Sequence, residues 1–340
     1  MSVKLSNRTR LIKPSPTLTL SAKAGQMKEA GIDVVNFGVG EPDFFTPEYI
    51  KTAARKALDE NFTRYTANAG IIELRKAICT KFERDNQLAY SPKEILVSPG
   101  AKASILNILI AVCDVGDQVL VPNPYWVSYP YQVMLANAES VYVPTEQCEG
   151  YKIKASLLEA VIKSSPCAKA LLLNSPNNPT GSVYTRQELE DIAEVCLRYN
   201  ILVISDEIYE RLVYDDVQHV SIASVNEAMK QQTVVINGVS KAYAMTGWRL
   251  GYAAGPEHII AAAGRVQEHA TSCVNSITQK ACVTALLEED DSIEKMRVEF
   301  SKRRDFLYSE LAGIPHLTCY KPQGAFYVMP NIEWYLDNNK

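Results

Sequence analysis

Short apolar runs recur along the middle of the chain, with amphipathic stretches between them. The runs are QVLVP, ALLLN, ILVIS and TVVIN, and runs of this length are typical of strands buried on both faces of a parallel sheet. Residues 46–60, 73–86 and 185–200 carry apolar side chains at helical spacing. The first of these helices is expected to have its Thr at the N-cap and its Pro in the first turn. Residues 94–113 predict a strand, a tight turn and an apolar helix. The alternation predicts an α/β fold, with a mostly parallel central sheet and helices on both faces.

Composition narrows the function classes that such a fold can serve. The 340 residues are 47% apolar and carry a net charge of −4 with no long run of either sign, which argues against a nucleic-acid or membrane-surface partner. The N-terminus has no apolar signal core, and no stretch has membrane-spanning length. The eight cysteines include no C-x-x-C pair, so we expect reduced thiols and no metal site. A cytoplasmic enzyme with small-molecule substrates is the resulting prediction.

Polar residues follow three of the predicted strands at the points where the strands end. Asn178 follows ALLLN, Asp206 and Tyr209 follow ILVIS, and Ser240 and Lys241 follow TVVIN. Each of three residues also has an ordinary alternative role. Asn178 would be part of a turn, Asp206 would cap a helix that runs through EIYERL, and Lys241 would be a solvated loop lysine. Because ligands bind outside the carboxyl ends of parallel strands, their combination favours one shared site at this edge.

A fourth strand, turn and helix offers an anion site. Gly100 permits a tight turn after ILVSP, and the amides of Ala101 and Lys102 would then lie at a helix N-terminus, where an anion is favoured. Arg249, beyond the Lys241 loop, can add bidentate charge to the same phosphate.

A lysine amine, a buried acid, an amide with a hydroxyl, and a phosphate site together suit pyridoxal 5'-phosphate. The chain also resembles the fold type I pyridoxal-phosphate enzymes, and among them the class I aminotransferases of the bacterial aspartate aminotransferase subgroup. The motifs that carry the resemblance are LIKPSPTLTLSAKA, GEPDF, YWVSYP, NSPNNPTG, SDEIYE, SKAYAMTGWRLGY and PQGAFYV.

The resemblance implies a role for each matching cofactor residue. Lys241 is similar to the Schiff-base lysine and to the group that moves the α-proton, and Asp206 to the acid that pairs with the ring nitrogen. Asn178 and Tyr209 match the donors to the ring phenolate, and Trp126 matches the aromatic residue that stacks on the ring.

The resemblance also implies a homodimer with shared active sites, because Tyr65 matches the tyrosine that reaches the neighbouring subunit's phosphate. Gly40, Trp126 and Asn178 are expected at the substrate carboxylate. Many relatives have a phosphate-binding serine where this chain has Gly238, and Ser240 is expected to compensate through its hydroxyl.

By the same resemblance, the expected activity moves the amino group of aspartate to 2-oxoglutarate in a ping-pong cycle. Lys13 lies in the segment expected over the active-site mouth, where it either meets a second substrate carboxylate or remains an exposed lysine. The alternatives are a glutamate/aspartate-prephenate aminotransferase that makes arogenate, and a pyridoxal-phosphate lyase on the same fold.

The resemblance divides the chain into three parts. Residues 1–45 are expected to form an arm and part of the small domain, 46–290 the large cofactor-binding domain, and 291–340 the start of a smaller α+β domain with a strand around AFYVM. Relatives carry a carboxylate-binding arginine beyond the GAFY motif, whereas the last arginine here is Arg304. We therefore expect the sequence to be a truncated version of a longer protein.

Overall fold

The computed structural model describes residues 3–288 and 290–338. Parts of the three predicted segments, namely residues 1–2, 289 and 339–340, lie outside the described residues. The strands are β1 (Ile95–Ser98), β2 (Gln118–Asn123), β3 (Glu139–Pro144), β4 (Ala168–Asn174), β5 (Leu202–Asp206), β6 (Thr233–Gly238), β7 (Gly251–Ala254), β8 (Thr318–Cys319) and β9 (Pro330–Asn331).

The α-helices begin in the N-terminal arm and continue to the last described residues. They are α1 (Asn7–Leu11), α2 (Pro16–Glu29), α3 (Glu48–Asp59), α4 (Ile72–Asn86), α5 (Ala101–Val112), α6 (Tyr129–Leu135), α7 (Ala155–Ser164), α8 (Arg186–Arg198), α9 (Glu227–Lys230), α10 (Glu257–Ala270), α11 (Ser276–Leu287), α12 (Ser292–Ala312) and α13 (Glu333–Asp337). Short 3-10 turns lie at Pro92–Glu94, Gln147–Glu149, Ile222–Ser224 and Thr246–Trp248.

A seven-stranded sheet in the order β1-β7-β6-β5-β4-β2-β3 forms the centre of the molecule. The strands from β2 to β6 pair in parallel, and β7 is antiparallel to both of its neighbours. The four apolar runs fall on β2, β4, β5 and β6, which confirms the predicted mostly parallel sheet. Strands β3 and β7 were not anticipated from the apolar runs.

Successive residues of the central strands point to opposite faces of the sheet. On β4, Leu171 and Leu173 pack with α7 and α8, whereas Leu172 packs with α5, α6 and α10 on the other face. Helices α3, α4 and α11 cover the part of the sheet near β1, β6 and β7. Full burial of one such leucine stabilises the fold by about 1.5–3 kcal/mol. The prediction of helices on both faces is therefore confirmed.

Local differences from the sequence predictions have identifiable causes. Helix α3 begins after Pro47, which is its N-cap, because the Thr46 hydroxyl instead donates to Ala244 O at 2.8 Å. The strand predicted around AFYVM is wrong. Gly324 forms a single bridge to Val213, Ala325 has a φ of +57°, and the extended pairing occurs later, between β8 and β9.

The division of the chain into residues 1–45, 46–290 and 291–340 stays a prediction. No helix in the described part of the chain is both long and apolar enough to cross a membrane.

Candidate active site

Strands β4, β5 and β6 end side by side at one edge of the sheet. Asn174 of β4 lies opposite Asp206 of β5, and Asp206 lies opposite Ile236 of β6. The Asn174 side chain donates to the Asp206 carbonyl at 2.8 Å and accepts from the Asn178 amide at 2.7 Å, which fixes the loop after β4. The predicted residues that follow these strands are Asn178, Tyr209, Ser240 and Lys241.

Asp206 is the buried acid of the site, with 4% of its surface exposed. Burial raises its pKa to about 6, although a hydrogen bond from Tyr129 opposes the rise. Tyr129 donates to Oδ2 at 2.8 Å, and the Ile208 amide donates to Oδ1 at 3.3 Å. Residues 208–211 form a turn, not the helix considered above, so Asp206 is no helix cap. Its carboxylate is therefore held by neutral donors and can pair with a protonated nitrogen.

Tyr129 was missed by sequence reasoning, although it lies in the YWVSYP motif. It is 2% exposed, and its ring packs edge-on against Trp126, with 5.4 Å between centroids. Its position three residues after Trp126 in the YWVSYP motif was the signal that could have identified it.

Lys241 projects from the loop after β6 and is only partly exposed. Its Nζ donates to the Gly40 carbonyl at 2.5 Å and lies 5.8 Å from the centre of the Tyr209 ring. Burial lowers its pKa to about 8, with Glu41 opposing the decrease. A lowered pKa increases the fraction of neutral amine near neutral pH, and a neutral amine is the form that acts as a nucleophile or base.

Asn178 and Tyr209 lie together beside the lysine. The Asn178 side chain is within hydrogen-bonding reach of the Tyr209 hydroxyl, and Tyr209 is 4% exposed. The Tyr209 hydroxyl also lies 2.6 Å from the hydroxyl of Tyr327. Tyr327, a second residue that sequence reasoning missed, belongs to the PQGAFYV motif and reaches the site from the region after α12.

The N-terminus of α5 forms a cationic pocket. Gly100 is the N-cap with a φ of +89°, and Ala101 and Lys102 begin the helix, where their amides have no intrahelical acceptor. The Arg249 guanidinium lies against Gly100, with Nη2 2.5 Å from the position of a Cβ. Repulsion from Arg249 adds to burial in lowering the pKa of Lys102. The arrangement favours an anion.

Among the described residues, no ion pair joins Lys102, Lys241 or Arg249 directly to a carboxylate, although Glu41 and Asp206 lie near enough to Lys241 to favour its charged form. Arg249 donates to the carbonyl of Thr246 at 2.9 Å, and the Lys102 ammonium lies 4.7 Å from the centre of the Trp126 ring. Three cations around a helix N-terminus therefore leave room for a ligand that carries the negative charge.

The glycine at position 238 is explained by the packing of β7. A Cβ at Gly238 would lie 2.9 Å from Gly251 Cα and 2.9 Å from Leu250 O. A Cβ at Gly251 would lie 2.2 Å from the Ala101 amide nitrogen. The two glycines let β7 pass between β6 and the first turn of α5, which carries Arg249 toward the cationic pocket.

Two predicted residues, Tyr65 and Lys13, are exposed and not brought to the site by this chain, whereas Ser240 and Trp126 lie at the site. Tyr65 is 93% exposed, and Lys13 is an exposed residue between α1 and α2. Ser240 is buried near Lys241, and its carbonyl accepts from the Met245 amide at 3.1 Å. Trp126 is half-buried beside Lys102. The roles predicted for these four side chains stay predictions.

A cleft of about 780 Å³ opens on the far side of the Arg249 loop. Phe45 lies at its rim and is 91% exposed. The walls are formed by Phe44, Phe45, Thr46, Trp248, Arg249 and Cys273, among others. Arg249 lines this cleft and also lies against Gly100 in the cationic pocket, so a side chain that enters the cleft comes close to the Arg249 guanidinium.

A buried ionic cluster supports the turn after β5. Glu207, Glu210 and His219 bring potential ligand atoms within 4.8 Å of one another. The ammonium of Lys81 forms an ion pair with Glu210, and His219 Nε2 lies 3.1 Å from Glu207. Because Lys81 already supplies the positive charge, the cluster acts as an internal ion-pair network that fixes the turn.

Comparisons with known proteins agree with this geometry. A profile of the family "Aminotransferase class I and II" matches residues 32–337. The chain is 47% identical over 332 residues to an aspartate aminotransferase of Bacillus sp. (strain YM-2), covering 98% of this chain and 84% of that protein. It is 45% identical to an aspartate/prephenate aminotransferase of Cereibacter sphaeroides, covering 96% and 82%. The structure of the Thermus thermophilus aspartate aminotransferase with maleate is similar, with a TM-score of 0.92, 41% identity and coverage of 97% and 85%.

Proposed function

The chain belongs to the class I and II aminotransferase family, and from that premise we propose that it moves the amino group of aspartate to 2-oxoglutarate. Enzymes of this family depend on pyridoxal 5'-phosphate. The observation that carries the proposal is the placement of Lys241, an amine with a pKa of about 8, between the buried acid Asp206 and the cationic pocket at α5.

The residues present fit this cofactor. Its phosphate has a counterpart in the cations Lys102 and Arg249 at the α5 N-terminus. Its ring nitrogen has a counterpart in Asp206, and its phenolate oxygen in the donors Asn178 and Tyr209. Lys241 would hold the aldehyde, and Trp126 would cover one face of the ring.

The bound cofactor supplies an electron sink for the carbanion that forms when the substrate loses its α-proton. The part of this chain is to hold and move protons. Asp206 would keep a proton on the ring nitrogen. Tyr129 keeps Asp206 oriented and favours its ionised form. Burial lowers the pKa of Lys241 to about 8, so part of its amine is neutral near neutral pH. The freed amine would remove the substrate's α-proton and later give that proton back. The second half of the ping-pong cycle uses the same residues in reverse.

We propose that Gly40, Trp126 and Asn178 bind the substrate α-carboxylate. The final arginine of the sequence, Arg304, is 5% exposed and donates to Asp215 at 2.9 Å and to the Pro322 carbonyl at 2.8 Å. These contacts occupy Arg304, so it is not a candidate for that carboxylate.

The substrate is proposed from the names of the relatives and from the positive charge of Lys13, in the segment expected over the active-site mouth. Relatives are named aspartate aminotransferase or aspartate/prephenate aminotransferase, and a neighbouring structure was determined with maleate. These substrates and maleate each carry two carboxylates. We propose that Lys13 meets the second carboxylate, and that prephenate is an additional acceptor.

We propose that two copies of the chain share their active sites. The Tyr65 side chain is 93% exposed. The cleft beside Arg249 has a volume of about 780 Å³, which is enough to admit side chains of a second copy. Tyr65 of one copy would enter this cleft and donate to the phosphate of the other. A cytoplasmic location stays a prediction, which cell fractionation would check.

A panel of amino donors tests the proposed function. Aspartate, glutamate and alanine are supplied with 2-oxoglutarate, oxaloacetate or prephenate, using this 340-residue chain. We expect turnover with aspartate and 2-oxoglutarate, and arogenate formation if prephenate is accepted. Release of ammonia from an amino acid without any oxo-acid acceptor would identify a lyase and contradict the proposal.

A further inference from the structure

Tyr327 reaches the site from a part of the chain remote from the sheet edge. It lies between α12 and β9, yet its hydroxyl is 2.6 Å from that of Tyr209 and 2.7 Å from the position of a Cβ on Gly40. Its ring is perpendicular to that of Tyr209, with 5.6 Å between centroids. The hydroxyl of Tyr327 therefore occupies the space between the Tyr209 hydroxyl and the Gly40 backbone.

Backbone contacts fix this segment firmly. The Ala325 amide donates to Leu212 O at 2.8 Å, and the Tyr214 hydroxyl donates to Ala325 O. Ala325 is fully buried, and Phe326 stacks on Phe300 of α12 with 5.1 Å between centroids. The position of the Tyr327 hydroxyl is thus set by packing, which is what a residue that orients another group requires.

The two hydroxyls share one hydrogen bond, in which only one of them donates. If Tyr209 donates to Tyr327, its proton is not available to a ligand oxygen. If Tyr327 donates, the Tyr209 proton is free to point at the ligand. Tyr209 lies beside Lys241 and Asn178, where a ligand oxygen can accept its proton, so donation from Tyr327 is the arrangement that satisfies both hydroxyls. Burial raises the pKa of both groups, so both stay protonated near neutral pH.

We propose that Tyr327 is a positioning residue whose hydroxyl donates to Tyr209 and thereby directs the Tyr209 proton at the phenolate oxygen of the bound cofactor. The inference rests on the proposed function. Hydrogen bonds in a chain polarise one another, so donation from Tyr327 also strengthens the bond that Tyr209 makes. That bond draws electron density from the phenolate and lowers the pKa of the nitrogen that joins the cofactor to Lys241.

The test compares Tyr327→Phe with Tyr209→Phe, the double variant and a control, Tyr320→Phe. Tyr320 belongs to the same segment, but its hydroxyl bonds to Gln323 at 2.8 Å, away from the site. The readouts are the pH midpoint of the bound cofactor's visible absorbance, the cofactor Kd from protein fluorescence, and the thermal midpoint of each protein.

For Tyr327→Phe we expect the absorbance midpoint to rise by about half a pH unit and the cofactor Kd to rise about threefold. Both effects should vanish in the Tyr209→Phe background, because Tyr327 acts through Tyr209. The control should match the wild type. A purely structural role would instead lower the thermal midpoint and shift both backgrounds equally.

Two results would overturn the inference. The first is a Tyr327→Phe protein with wild-type midpoint and Kd, and the second is an equal shift in both backgrounds. A wild-type chain that gives no visible absorbance with the cofactor would refute the proposed function as well, so the two failures are distinguishable.

Discussion

The sheet edge and the N-terminal arm differ in how completely one chain forms them. At the sheet edge, Asp206 and Asn174 are about 4–5% exposed and hydrogen-bonded within the chain. In the arm, Phe37 is 89% and Val35 74% exposed. A cluster of buried, hydrogen-bonded side chains at the sheet edge thus lies in the same chain as an arm whose apolar side chains are uncovered. We infer that the sheet edge determines the reaction type, and that the mouth, completed by a second copy, determines the substrate.

The largest effect is expected from Asp206→Asn, which tests whether the sheet edge determines the reaction type. The amide cannot hold a proton on the ring nitrogen, so we expect kcat to fall on the order of a thousandfold while the cofactor still binds. Steady-state kinetics with aspartate and the cofactor absorbance check both points. Asp191→Asn, on the surface of α8, is the matched control, and a wild-type kcat for Asp206→Asn would refute the electron-sink role.

Packing at the sheet edge can be tested with Gly238→Ser. The added side chain would meet Gly251 Cα and Leu250 O at 2.9 Å, so we expect a loss of about 1–3 kcal/mol in the free energy of unfolding. Gly247→Ser is the control, because no atom lies within 4 Å of its Cβ position. Denaturant unfolding measures both. Equal stability of the two variants would show that the edge is not tightly packed.

The shared mouth is tested by mixing two inactive or weakened proteins. Tyr65→Ala should weaken cofactor binding about tenfold through loss of a phosphate contact. If Tyr65 acts across the interface, refolding it with an equal amount of Lys241→Ala should restore about a quarter of the wild-type activity, since half of the dimers are mixed and each has one intact site. No recovery above the sum of the separate proteins would place Tyr65 in its own chain's site or outside the mechanism.

The smallest expected effect concerns substrate choice. Lys13→Ala should raise the KM for aspartate about fivefold and leave that for alanine unchanged, because an exposed ion pair contributes up to about 1 kcal/mol. Lys23→Ala, on α2, is the control. A KM change that is equal for aspartate and alanine would remove Lys13 from substrate selection.

The sequence predicted the parts of the fold that depend on local pattern. Runs such as ALLLN identify buried strands, and parallel strands bring Asn178, Asp206 and Lys241 to one edge by topology alone. The contact of Tyr129 with Asp206 depends on how α6 packs. The contact of Tyr327 with Tyr209 joins segments more than a hundred residues apart. The local sequence pattern therefore predicts neither contact.

Gly238 was unexplained from sequence for a related reason. Its side-chain space is filled by β7, which follows a loop and a short 3-10 turn and pairs in register with β6. The AFYVM segment has the composition of a strand, but its backbone bonds to residues 212–214 instead of to a neighbouring strand. Tertiary contacts in both cases override the local pattern.

The central claim is that Lys241, at the end of β6, is the residue that binds the cofactor aldehyde. The direct measurement is borohydride reduction of the protein with pyridoxal 5'-phosphate, followed by digestion and mass mapping of the label. We predict a single labelled lysine, Lys241, and no label at saturating reductant on Lys241→Ala. A label on Lys102, or one that persists in Lys241→Ala, would contradict the account.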